Sequence, residues 1–77
     1  HLDGAGQERF DALKAWRSEV ARTNGVPAYV IFHDSVLAAI AAEAPTTLTA
    51  LRGTSGVGEA KLARYGEELL RVLETTE

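Results

Sequence analysis

The chain has 77 residues, 45% of them hydrophobic and 25% charged, with a formal net charge of −3 and only two prolines. These proportions describe one small globular domain and argue against disorder; burying only about 60% of its unfolded surface, it has no cleft between lobes and little room for a cofactor. Without a single cysteine, disulfides, a thiol nucleophile and cysteine-ligated metal are excluded, and a small fold without such staples fits a reducing cytosol.

In chain order, residues 1–7 (His1-Leu2-Asp3-Gly4-Ala5-Gly6-Gln7) read as a linker, and the absence of methionine leads us to expect a processed chain or a domain of a longer protein. No basic start followed by a long apolar run marks a signal peptide. The longest apolar run, Val36 to Ala42, is far short of the roughly 20 residues of a membrane helix. From Glu8 to Thr23, Phe10, Leu13, Trp16 and Val20 recur at steps of three and four, predicting a helix with one buried stripe. Asn24-Gly25 ends it, Gly25 suiting a left-handed cap. After Pro27, Ala28-Tyr29-Val30-Ile31-Phe32 has strand-favouring residues but no second run to pair with, so it reads as a buried helical turn or a coil plugging the core.

Asp34 or Ser35 is expected to cap a helix over 35–43 with Val36, Leu37 and Ile40 inward, stopped by Pro45. Thr46 or Thr47 caps a short helix to about Arg52, anchored by Leu48 and Leu51. The last helix runs from after Gly58 to about Leu73, burying Leu62, Tyr65 or Gly66, Leu69 and Val72 or Leu73. The expected fold is all-α, a compact bundle of four to five short helices with a helix-hairpin-helix-like turn at Gly56-Val57-Gly58, where Val57 plugs the gap between two helices.

Net negative charge argues against a strongly nucleic-acid-binding protein, but the charge is uneven. Residues 9–24 (Arg9, Lys14, Arg17 and Arg22 against Asp11 and Glu19) and 47–64 (Arg52, Lys61 and Arg64 against Glu59) each carry +2, whereas 65–77 carries −3. The hairpin leaves free backbone N–H groups at the start of the last helix, a seat for a phosphate, with Gly56 and Gly58 lining it and Lys61 and Arg64 one turn further in. A purely structural tight turn explains the same glycines, and Glu59 repels an anion. Gly53-x4-Gly58 has the glycine spacing of a nucleotide loop but is followed by Glu59-Ala60 where Lys and Ser/Thr are needed, and a dinucleotide pattern fails at Lys61. His33-Asp34-Ser35 are triad residue types without triad geometry, and one structured histidine makes no zinc site. No catalytic residue, metal or cofactor is expected. Tyr29 reads either as core or, beside Lys and Arg side chains, as a ring that stacks on an unpaired base; Trp16 reads as core.

The stretch Gly25-Val26-Pro27-Ala28-Tyr29-Val30-Ile31-Phe32-His33-Asp34, the Leu37 helix after it, Pro45-Thr46-Thr47, and Gly56-Val57-Gly58-Glu59-Ala60-Lys61-Leu62-x-x-Tyr65-Gly66 resemble the two signatures of the HRDC domain, in order and properly spaced. The resemblance spans about residues 9–74 and implies a domain over 8–75 with a tail at 76–77. That family is a five-helix accessory domain of RecQ-type helicases, some UvrD-type helicases and ribonuclease D. It implies a buried Val30–Phe32, a structural hairpin and, in members that bind single-stranded DNA, an exposed aromatic in the Pro-x-Tyr segment, here Tyr29. Lys14, Arg17, Arg22, Lys61 and Arg64 are candidate basic partners by charge alone. The implied function is non-catalytic: weak, mainly electrostatic binding of single-stranded or branched DNA for a bacterial, cytoplasmic, nucleoid-associated DNA helicase acting in repair or recombination. The alternatives are a module docking on its own helicase core or a partner protein, and the C-terminal domain of a ribonuclease D. No membrane partner is expected.

Overall fold

The computed structural model describes residues 2–77. Five helices follow one another: α1 Gly4–Asn24, α2 Ala28–Ile31, α3 Asp34–Glu43, α4 Leu48–Arg52 and α5 Gly58–Glu74, with no strand among the described residues. The all-α bundle is therefore the observed architecture, measuring 31 × 23 × 20 Å.

The first helix begins four residues before its expected start. Asp3 stands at the N-cap and its carboxylate accepts from the Gly6 N–H at 2.7 Å, while Leu2 packs on the core. Capping by an aspartate satisfies a donor the helix end would otherwise leave open. Gly4 to Gln7 thus form the first turn of α1 and not a linker; His1 lies outside the described residues. The helix ends at Gly25, whose φ of 65° and ψ of 34° make the left-handed cap.

Apolar positions three and four apart build the centre. Leu13, Ile31, Phe32, Leu37, Ile40, Ala41, Leu51, Val57, Leu62, Tyr65, Leu69 and Leu73 are buried together. Trp16 is half-buried at the edge of this core; its ring meets Tyr65 edge-on at 5.5 Å between centroids and tilts over Phe32 at 6.2 Å. Several expectations need correction. Val30 is 46% exposed, because a four-residue helix turns only part of its circumference inward and Ile31 and Phe32 take the core. Leu48 is 40% exposed and lies over Gly66, where an added Cβ would come within 2.8 Å of it. The cap of α3 is His33, without a side-chain cap bond; Asp34 is its first helical residue, drawn away to an ion pair with Arg17. Thr47 caps α4, its hydroxyl accepting from the Ala50 N–H at 3.1 Å.

The hairpin is as tight as its glycines suggested. Val57 is fully buried, and Gly56 and Gly58 have φ of 94° and 70°, angles that residues with a Cβ rarely adopt. Gly56 also has no space for one: a Cβ there would lie 2.6 Å from Val36 Cγ2.

Candidate nucleic-acid interface

Tyr29 stands on α2 with its ring in solvent, 62% exposed. It reaches the surface for a simple reason: on this single turn Ile31 points to the core and Tyr29 points the other way. The ring stacks on His33, four residues on, with centroids 6.1 Å apart and planes 26° from parallel. Neither composition nor spacing revealed this pair, because α2 ends at Ile31 and the chain is extended at Phe32 and His33, so helical period does not relate the two rings. Two stacked aromatic faces at the surface form a platform of the kind on which unpaired bases stack.

Next to Tyr29, Val30 lines a surface groove of about 380 Å³ that runs from the end of α1 to the first half of α5, together with Val26, Lys61 and Arg64. Arg64 is exposed, its guanidinium over the Tyr65 ring and 3.5 Å from the Asn24 side-chain oxygen. The groove thus combines an apolar floor with a cation at its rim, next to the aromatic turn.

The remaining candidates separate. Arg17 is not at the surface. Its side chain is only 11% exposed, with one Nη donating to the Phe32 carbonyl at 2.8 Å and the other 2.7 Å from Asp34 Oδ1. Its position in step with Leu13 and Ala21 on the buried stripe was the sequence signal for this placement. Lys61 is likewise engaged: its ammonium donates to the Val30 carbonyl at 3.0 Å and to the Ile31 carbonyl, and lies over the Phe32 ring. Lys14 sits over the Phe10 ring and 3.9 Å from Asp11, both on its own helix. Arg22 is exposed and pairs with Glu19 at 2.8 Å.

At the hairpin, Gly56 and Gly58 are exposed and Gly58 opens α5. Glu59, expected to repel an anion there, is bound to Arg52 at 2.9 Å across the turn. That pair brings the hairpin close to local neutrality. Arg52 was not among the sequence candidates, and only the folding back of α4 on α5 places it there.

Comparison with known proteins shows the family and the fold. The family model of the HRDC domain matches residues 6–73. The chain is 44% identical over 67 residues to the ATP-dependent DNA helicase UvrD2 of Mycobacterium tuberculosis (strain ATCC 25618 / H37Rv), a match covering 87% of this chain and 10% of that protein. It is 36% identical over 67 residues to the ATP-dependent DNA helicase RecQ of Bacillus subtilis (strain 168), covering 87% and 11%. Among solved structures, the third HRDC domain of D. radiodurans RecQ superposes with a TM-score of 0.87 at 34% identity, over 91% of this chain and 92% of that one. The chain spans about a tenth of the length of the curated helicases it matches.

Proposed function

Because this chain belongs to the HRDC domain family, we propose that it is a non-catalytic accessory module of an ATP-dependent DNA helicase, binding single-stranded or branched DNA weakly through the Tyr29–His33 platform. The observation that carries the reading is the exposure of the Tyr29 ring, stacked on a second aromatic beside the Arg64 groove. A base stacking on an aromatic contributes about 1–3 kcal/mol. The cations left for phosphates are Arg64, Arg22 and Lys14, together with the backbone N–H groups of the hairpin at Gly56 and Gly58. Three phosphate contacts on a single strand give a salt slope of roughly −2, so affinity is appreciable at low salt and fades at physiological salt. Tethering to a helicase offsets this by raising the effective concentration.

The test is titration of a fluorescent oligothymidylate against the 77-residue chain at low salt, followed by Tyr29→Ala. We expect about a tenfold loss of affinity for Tyr29→Ala with the fold retained. Unchanged affinity would remove the ring from the contact.

A second reading, docking on the parent helicase core, has its own support. Two surface grooves share Trp16 and Glu68, the indole N–H donating to the Glu68 carboxylate at 3.1 Å, and the surrounding segment is acidic. Amide NMR shifts separate the two readings. DNA binding moves residues around Tyr29 and Arg64, whereas silence at millimolar DNA favours docking.

A further inference from the structure

We infer that Arg17 and Lys61, rather than touching DNA, clamp the backbone of α2 so that the Tyr29–His33 ring pair is held at a fixed angle, an inference that rests on the stacking reading above. A four-residue helix does not persist alone, since one turn fixes several dihedral angles for very few hydrogen bonds. Within α2 and its cap, the Phe32 N–H closes on the Ala28 carbonyl at 3.4 Å and the Val30 N–H on the Pro27 carbonyl at 3.0 Å. The carbonyls of Val30, Ile31 and Phe32 therefore need partners from elsewhere.

They receive them from two cations on two other helices. Lys61 of α5 takes the Val30 and Ile31 carbonyls, and Arg17 of α1 takes the Phe32 carbonyl while pairing with Asp34. Positive charge at the C-terminal end of a helical turn has the favourable sign, and hydrogen bonds from ionised donors are the strong ones. Arg17 Nε is buried without a hydrogen-bond partner, so the guanidinium is held through its two Nη groups alone. Tyr29 and His33 flank the tethered carbonyls, and Asp34, held by Arg17, follows directly. The Arg17 anchor is buried and the Lys61 anchors lie in the groove on the α5 side, while the Tyr29 ring is left in solvent beside His33. Without the anchors, the ring pair loses its fixed angle and must be ordered when DNA arrives, which lowers affinity.

The test compares the wild-type chain with Lys61→Met, Arg17→Met and Arg17→Lys. Without DNA, Tyr29 ring order from carbon relaxation and the NOE between the Tyr29 and His33 rings should both fall in Lys61→Met, while the amide spectrum of α5 persists. Arg17→Lys should retain part of the order that Arg17→Met loses. With oligothymidylate, Lys61→Met should bind about fivefold more weakly at an unchanged salt slope. A phosphate contact would instead lower that slope by roughly 0.7. An unchanged ring pair, or the reduced slope, overturns the clamp. If a variant does not fold, the wild-type ammonium signal of Lys61 decides: slow proton exchange that DNA leaves unaltered supports the clamp, and fast exchange with a shift on adding DNA overturns it. Failure of Tyr29→Ala to weaken binding removes the stacking reading, whereas the DNA-free ring order judges the clamp by itself.

Discussion

The α2 turn and the Gly56–Gly58 hairpin are both tight connections between longer helices, and they are built in opposite ways. In the hairpin the local side chain serves the fold: Val57 is buried, and the exposed parts are backbone and glycine. In the α2 turn the fold is served largely from outside, by cations on α1 and α5 that bind its carbonyls, and Tyr29 is left free. A connection that supplies its own plug presents only backbone to a ligand. One anchored from elsewhere can present a ring.

Mutations can break this contrast or sharpen it. The largest effect is expected at the plug: Val57→Asp places a carboxylate in a site closed to water and should cost about 3–5 kcal/mol, read as loss of the cooperative melting transition. Retention of a native-like melt would mean the hairpin does not depend on Val57. Gly56→Ala comes next, because its φ of 94° disfavours a Cβ and Val36 Cγ2 stands 2.6 Å from the new atom. A loss of about 2 kcal/mol in denaturant unfolding is expected, and a change near zero would show that the turn can relax. Smallest is the stability effect of Tyr29→Ala, expected within about 0.5 kcal/mol, since the ring is mostly in solvent. A large drop in melting temperature there would make Tyr29 part of the core and erase the contrast.

How far these regions were legible depends on which interactions are local. The stripe of Phe10, Leu13, Trp16 and Val20, the left-handed cap at Gly25 and the buried Val57 follow from spacing and from the special angles of glycine; Leu13, Gly25 and Val57 stand as expected, whereas Phe10, Trp16 and Val20 are only partly buried against the core. The early start of α1 was hidden because Gly4 and Gly6 look like linker, whereas Asp3 supplies a cap strong enough to begin the helix. Among the cations, charge alone did not separate Arg64, at the surface, from Arg17 and Lys61, which bind carbonyls; the register of Arg17 with Leu13 was the overlooked signal.

By itself, then, the order of apolar, capping and turn residues determined the helical bundle, its family and the presence of a candidate aromatic in the segment after α1. Only tertiary structure decided which cations face inward, that Arg52 neutralises Glu59, and that Tyr29 is exposed on a stack with His33. The reason is physical. Helix period and turn angles are set by neighbours within about four residues of one another, whereas the fate of a long charged side chain depends on which carbonyls and carboxylates another helix brings within its reach.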